Sequence, residues 1–262
     1  MPQRPCHLTA WGQAADLGAV LTDISFIADS QLTQTGTTVT RVPRDMPYIG
    51  AYYAGTPSDA TLRATFAAPS LEPMPFELQP IQATVEPGVP AAWRPMFDSP
   101  RRFVPDEALR AQWNTDDATP DFQTTLAWLT AGPIALRPPP TDARWIRFVT
   151  AAAAVTARAW TARALTSPVT LPTANYTVYD MRGQSTSAIA GRILFPDGSE
   201  RRPGTLLNDA VTDDDSAVRR VMSQIGPWGT FNDLNLPQIE LYCDAADNEI
   251  QEIDLLCTVT PK

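Results

Sequence analysis

Two acidic residues near the end of the chain, Glu252 and Asp254, have a spacing that suits catalysis by carboxylates. They belong to the stretch 252–257, which reads Glu-Ile-Asp-Leu-Leu-Cys. Residues two apart on a strand point to the same face of a sheet, so both side chains would share one surface. Hydrolysis of a glycosidic bond requires only such a pair, with one carboxyl group as the acid and the other as its partner.

The same stretch is similar to the E-x-D-x-(x)-E strand of jelly-roll glucanases, in which the acids line a concave sheet. Cys257 stands where that motif has its second glutamate, so the motif is incomplete. We therefore interpret Glu252 and Asp254 as the polar face of a final strand. A jelly-roll glycosidase that uses these two residues is kept as a second alternative for the function.

Other common forms of catalysis lack the residues that they need. His7 is the only histidine, so neither a histidine-based triad nor a multi-histidine metal site can form within one chain. The chain also lacks a GxSxG elbow, a glycine-rich loop ending in Lys-Ser/Thr, and a GxGxxG fingerprint. We predict that His7 is a surface residue near a terminus, and that the chain is not an enzyme and uses no cofactor.

Runs of aspartate are the remaining candidates for a metal site. Asp213, Asp214 and Asp215 are consecutive, as are Asp116 and Asp117. A calcium site usually has alternating oxygen ligands and a glycine turn, which a run of adjacent acids does not supply. We predict that these residues are solvated loop positions, and we assign no metal ligands; calcium at 213–215 stays open.

Tryptophans offer a different activity, because an exposed indole can stack on a sugar ring. This pattern keeps a carbohydrate-binding or adhesin-type β-sandwich module as the first alternative function. Most of the candidates lie in apolar contexts that indicate a core position instead. The candidates are Trp93, Trp113, Trp128, Trp145, Trp160 and Trp228.

The composition indicates a globular protein with short elements. Of the 262 residues, 44% are hydrophobic and 26 are proline, and the prolines are spread along the chain. Proline fixes φ and lacks a backbone donor, so it favours short strands and loops over long helices. The three cysteines, Cys6, Cys243 and Cys257, have no metal-site spacing, and we expect reduced thiols.

The charge balance disfavours a nucleic-acid partner. The net charge is −9 and the sequence pI is about 4.6, so phosphate groups would be repelled at long range. We interpret Arg144, Arg147, Arg158 and Arg163 as solvated faces of strands or helices. Residues 1–30 lack a basic start followed by an apolar run, and no stretch has the roughly 20 apolar residues of a membrane span.

The pattern along the chain predicts an all-β protein with a few short helices in its connections. Alternation predicts strands at 37–42, 48–66, 174–195, 238–242 and 250–259, and the segment 144–165 also favours strands. Acids after a proline predict short helices at 105–113 and 120–129, and a third is predicted at 216–225. Residues 137–140, Arg-Pro-Pro-Pro, form the best linker, which predicts domains at 1–136 and 141–262.

A repeat at half the chain length supports two copies of one β module. An offset of 129 residues separates Arg63 from Arg192 and Phe66 from Phe195. Tyr48 and Tyr176 match at an offset of 128, so the alignment of the two halves requires a shift of one residue. Further along, Trp93 and Phe97 match Trp228 and Phe231. One large sandwich and two smaller ones both stay open at this point.

A set of residues in structural turns covers about a third of the chain and lies mostly in the second half: Leu171, Pro172, Tyr176, Ala188, 192–195, 202–204, 226–229, Phe231 and 237–240. In the first half, residues 68–71 (Ala-Pro-Ser-Leu) belong to the same set. In these residues the chain resembles the jelly-roll capsid proteins of icosahedral bacterial viruses.

The resemblance implies two eight-stranded jelly rolls in tandem and a virion structural protein that assembles into an icosahedral shell. The implied partners are copies of the same chain in a trimer, other capsid proteins and an internal membrane, without sequence-specific binding of nucleic acid. The chain would be made in the host cytoplasm and reside in the virion. A coat that packages nucleic acid directly usually has a basic arm, and residues 1–30 contain only Arg4 as a basic residue.

Overall fold

The computed structural model describes most of the chain, in ten stretches. These are residues 6–15, 17–56, 61–79, 81, 93–115, 121–185, 187–198, 200–207, 222–243 and 250–262. The predicted calcium candidates at 213–215, Asp116 and Asp117 lie outside them, as do Arg4 and most of the predicted helix at 216–225.

The described residues form an all-β protein built from antiparallel sheets, as the composition predicts. The one named helical element among them is a 3-10 turn, Pro69–Leu71. No described helix is long and apolar enough to cross a lipid bilayer. Contacts divide the chain into two compact units, which we call the N-terminal unit (Thr9–Val85 and Trp93–Pro133) and the C-terminal unit (Ile134–Lys262 with residues 6–8). Residues 6–8 are the first residues of a strand that continues in the N-terminal unit, and we list that strand with the N-terminal unit.

The described residues of the N-terminal unit form two sheets. One has the order β1-β11-β5-β8, with β9 also paired to β5, and the other has the order β3-β4-β10-β6-β7, with β2 also paired to β10. The strands are β1 (Cys6–Ala15), β2 (Thr22–Asp23), β3 (Gln34–Thr35), β4 (Val39–Arg41), β5 (Tyr48–Gly55), β6 (Thr61–Ala67), β7 (Phe76–Glu77), β8 (Arg94–Pro95), β9 (Arg101–Arg102), β10 (Ala108–Thr115) and β11 (Asp121–Thr130).

The two sheets of this unit pack face to face around aromatic residues. The ring of Trp11 in β1 contacts Phe26 and Phe66 edge-on, with centroids 5.3 and 5.4 Å apart. Trp113 of β10 is buried in the same cluster and donates from its indole N–H to the Thr125 hydroxyl at 2.8 Å. Burial of these large apolar side chains supplies most of the favourable free energy of folding.

The described part of the C-terminal unit has two four-stranded sheets. Their orders are β12-β19-β14-β17 and β13-β18-β15-β16. The strands are β12 (Arg144–Val149), β13 (Thr161–Ala164), β14 (Ala174–Gln184), β15 (Ala188–Leu194), β16 (Gly204–Leu206), β17 (Gly229–Asn232), β18 (Gln238–Cys243) and β19 (Glu252–Pro261).

Glycine allows close approach between strands at several points in this unit, and Gly191 and Gly204 are two of them. A Cβ on Gly191 of β15 would lie 3.2 Å from the Met181 side chain of the facing sheet. A Cβ on Gly204 of β16 would overlap the carbonyl oxygen of Gly191 and lie 2.7 Å from the Arg192 Cα. These contacts show that the sheets pack face to face, and they fix β16 against the strand that carries Arg192.

Both units pair their strands in the same way. If β2 and β4 share one position, β8 and β9 share another, and β3 is counted as an addition at the sheet edge beside β4, the described strands of each unit occupy eight positions along the chain. In each unit position 1 pairs with 8, 2 with 7, 3 with 6 and 4 with 5. The matched segments of the repeat occupy corresponding positions, since residues 48–66 contain β5 and β6 and residues 176–195 lie in β14 and β15.

The predicted helices at 105–113 and 120–129 are wrong, because β10 and β11 occupy these segments. Asp106 has a left-handed φ of 66°, which no helix interior tolerates. The Glu107 carboxylate accepts the backbone N–H groups of Val104 and Ser70, so it closes a turn instead of a first helical turn. The alternating burial of β10 then places Leu109, Ala111 and Trp113 in the core.

Most strand predictions are confirmed. The segments 48–66 and 174–195 are each two strands joined by a connection, and β18 and β19 match the two predicted at 238–242 and 250–259. In the segment 144–165, β12 and β13 flank the alanine run 151–154, which is not helical. Residues 137–140 lie in the irregular connection between β11 and β12, and the change of unit falls between Pro133 and Ile134.

Candidate interaction surface on the last strand

The outer face of one sheet of the C-terminal unit carries the two acids singled out above. Strand β19 lies between β12 and β14, and their register aligns three rows of side chains. Phe148, Ile253 and Leu255 alternate with these rows and are fully buried, so the rows face away from the core. The rows are Trp145–Leu256–Asp180, Arg147–Asp254–Arg182 and Val149–Glu252–Gln184.

Asp254 lies at the centre of this face and is held by two arginines. Arg147 donates from Nε and Nη2 to its two oxygens at 2.9 and 3.2 Å, which is a bidentate pair. Arg182 donates from Nε at 3.0 Å. The Asp254 side chain is only 9% exposed, because the longer side chains on either side cover it.

These contacts set the protonation state of Asp254. Burial by itself raises the pKa of this carboxyl group, but the hydrogen bonds and charges of Arg147 and Arg182 outweigh it and hold the pKa below the ordinary value of 3.8. A general acid in glycoside hydrolysis needs a raised pKa instead. Asp254 therefore has the environment of a structural anion.

We expect Asp254→Asn to destabilise the C-terminal unit by about 1–3 kcal/mol at neutral pH, since the charged hydrogen bonds are lost. A lowered folded-state pKa contributes stability above the unfolded-state pKa and loses it as pH falls through the folded value. The difference in the free energy of unfolding between wild type and variant should therefore have its largest value at pH 7 and shrink below about pH 3.8. Urea unfolding at several pH values measures it, and a difference that is independent of pH would contradict this assignment.

Glu252 is tied to the same arginine as Asp254. Its carboxylate lies 2.9 Å from Arg147 Nη1, and both side chains are about half exposed. The pair thus lies on one face, as the spacing predicts. Because Arg147 bridges the two acids, the face is a row of compensated charges, and this disfavours a glycosidase that uses Glu252 and Asp254.

The tryptophans are mostly core residues, as predicted. Trp93, Trp113, Trp128 and Trp228 are buried. Trp145 differs, because its side chain is 40% exposed on the outer face of β12. The Arg182 guanidinium lies 4.7 Å from the centre of its ring, so the indole is held by a cation–π contact.

A second charged cluster is buried on the other sheet of the C-terminal unit. Glu240 of β18 accepts from Arg192 Nε and from Arg202 Nη1, each at 2.6 Å. The Arg192 side chain is 1% exposed, its Nη1 donates to the Leu8 carbonyl at 2.8 Å, and its guanidinium lies 4.1 Å from the ring centre of Trp160. The cluster thereby fixes residues 6–8 to this unit.

The predicted surface position of His7 is wrong. His7 is fully buried, and its Nδ1 accepts the backbone N–H of Arg202 at 3.1 Å. Leu8 N–H in turn donates to the Arg202 carbonyl at 3.0 Å. These hydrogen bonds hold the segment against residue 202 and keep the ring buried, which distance from a chain end cannot reveal.

The remaining candidates have structural surroundings. Arg163 donates to backbone carbonyls, including that of Ala153 at 3.2 Å, and Arg144 is exposed. Cys6, Cys243 and Cys257 are buried thiols that form no disulfide, and burial raises the pKa of Cys257 to about 12. Among the residues that the structure describes, no group of three or more histidine, cysteine or acidic side chains could hold a metal ion.

The two arginine clusters were not foreseen from the sequence, although it contains a signal for one. Arg192 lies in the apolar strand Ala-Ile-Ala-Gly-Arg-Ile-Leu, and Glu240 lies in Gln-Ile-Glu-Leu-Tyr-Cys. A charge inside an apolar strand calls for a partner of opposite sign, because an unpaired buried charge is too unfavourable. Which strand supplies the partner depends on the register, and this requires the structure.

Comparison of the chain with protein-family models, curated proteins and solved structures finds no match.

Proposed function

We propose that this chain is a virion structural protein, a capsid subunit of an icosahedral bacterial virus, folded as two tandem jelly rolls. In this proposal it assembles into trimers and then into a shell, together with other capsid proteins and over an internal membrane. It has no catalytic role and needs no cofactor. The observation that carries the proposal is the strand pairing that the two units share.

A jelly roll is an antiparallel ribbon that is rolled up into two facing sheets. In such a ribbon strand 1 pairs with 8, 2 with 7, 3 with 6 and 4 with 5. Rolling then brings 8 beside 3 and 7 beside 4. The C-terminal unit has these pairs in β12-β19-β14-β17 and β13-β18-β15-β16, and the N-terminal unit follows the same order. This agreement supports a jelly roll in each unit.

Two like units in one chain suit a shell. A trimer of such a chain presents six similar units around its axis, so it can occupy a position with six neighbours although it has only threefold symmetry. Closed symmetric contacts of this kind let one chain tile a surface. The net charge of −9 fits a coat that does not bind nucleic acid directly.

The test is the mass of the purified protein in solution by light scattering, with negative-stain images of the same sample. We expect discrete trimers or shell-like particles that form without any added ligand. Varying the protein concentration separates specific assembly from aggregation, because only specific assembly gives particles of one size. A monomer at high concentration, without particles, would overturn the proposal.

A further inference from the structure

We propose that the outer face around Trp145 binds a neutral saccharide, with a sugar ring stacked on the indole and its hydroxyl groups bonded to Arg147 and Glu252. We call this set of residues, with Arg182 and Asp254, the Trp145 face. This activity is separate from self-assembly and does not depend on it.

Trp145 is the most exposed of the seven tryptophans, and it is also held in place. Its side chain is 40% exposed, whereas the other tryptophans are buried or partly buried. The Arg182 guanidinium, 4.7 Å from the ring centre, is itself anchored to Asp254 at 3.0 Å. An exposed ring that is fixed before binding loses little conformational entropy when a ligand stacks on it.

The charges of the Trp145 face point to an uncharged ligand. The guanidinium groups of Arg147 and Arg182 are matched by the carboxylates of Asp254 and Glu252, so these four formal charges cancel. Asp180, the remaining acid of the three rows, is buried and does not face a ligand. An anion would meet two carboxylates and a cation two guanidinium groups. A ligand rich in hydroxyl groups can donate to the carboxylates and accept from the guanidinium groups without adding charge.

Hydrogen-bonding capacity is left over within reach of the ring. Arg147 uses three of its five N–H donors on Asp254 and Glu252. The Glu252 side chain is 44% exposed, so its carboxylate is accessible. Residues 145 and 147 lie two apart on β12, or about 6.6 Å along the strand, so one sugar can contact both.

The test is titration of the full chain with four neutral oligosaccharides: cellohexaose, maltohexaose, chitohexaose and mannohexaose. Binding is detected by tryptophan fluorescence and by isothermal titration calorimetry. We expect at least one to bind, and Trp145→Ala to weaken it by about tenfold or more, since a stacking platform is lost. Arg147→Lys should also weaken binding, because it retains the charge but not the forked donors. Leu234→Ala, which removes another exposed apolar side chain of the same unit, is the matched control and should bind normally.

No detectable binding to any of the four at about 10 mM would overturn the proposal. Equal binding by wild type and Trp145→Ala would also overturn it. Light scattering of Trp145→Ala identifies a third outcome, which also overturns the proposal. If the wild type binds no saccharide and the variant forms smaller oligomers than the wild type, the Trp145 face contacts a second copy of the chain. Circular dichroism of each variant shows that loss of binding does not reflect loss of the fold.

Discussion

Glu240→Ala should destabilise the C-terminal unit by about 3–5 kcal/mol, because it leaves two buried guanidinium groups without their shared carboxylate. Arg192 is 1% exposed, and Arg202 and Glu240 are each 10% exposed, so water cannot replace the lost partner. A loss of this size is a large part of the roughly 5–15 kcal/mol by which a typical domain is stable. Amide hydrogen exchange should rise in β15 and β18, which carry Arg192 and Glu240 and pair directly.

Two further variants separate the effect of burial on stability from the effect of losing an ion pair. Glu252→Ala removes the half-exposed partner of Arg147 in the same unit and should cost only about 0–1 kcal/mol. Replacing Arg192, Glu240 and Arg202 together by Met, Leu and Met should restore much of the stability, since no buried charge is then left unpaired. If Glu240→Ala costs no more than Glu252→Ala, the cluster is not shielded from water as described.

The buried cluster explains why sequence reasoning reached the fold class but not this part of the structure. Alternation and proline content predict short strands because both are local properties of the chain. Arg192 and Glu240 are 48 residues apart and meet only because β15 and β18 are neighbours. The burial of His7 has the same origin, since its partner is the backbone of Arg202, 195 residues away.

The wrong helices at 105–113 and 120–129 have a related cause. Proline followed by acids is a good start for a helix, but the same residues also form turns. In β10 the apolar residues Leu109, Ala111 and Trp113 recur at every second position, and this period of two matches a strand. The local signals for the start of a helix were thus outweighed by the long-range pairing of β10 with β6. The repeat was detectable because it lies on strands in both halves.

Trp128→Ala should destabilise the N-terminal unit by about 3–5 kcal/mol, since it opens a cavity the size of an indole. Trp128 is fully buried on β11, and its ring meets Trp93 and Phe97 edge-on at 6.1 and 5.8 Å. Gly50 of β5 leaves room for Phe97, because a Cβ there would lie 2.8 Å from that ring. Such tight packing leaves little space for the neighbours to move into the void, so the full penalty is expected.

The measurement is amide hydrogen exchange, detected by mass spectrometry. It gives the exchange rates of β5 and β11 separately from those of the C-terminal unit. Trp128→Phe retains one ring and should cost less than Trp128→Ala, while Met74→Ala, at a side chain 79% exposed, should stay within about 0.5 kcal/mol. Exchange in β5 and β11 should rise in the order Met74→Ala, Trp128→Phe, Trp128→Ala. A Trp128→Ala variant as stable as Met74→Ala would mean that the three rings do not form a packed cluster. The packing of these rings would then not stabilise the paired strands β5 and β11 of the N-terminal unit.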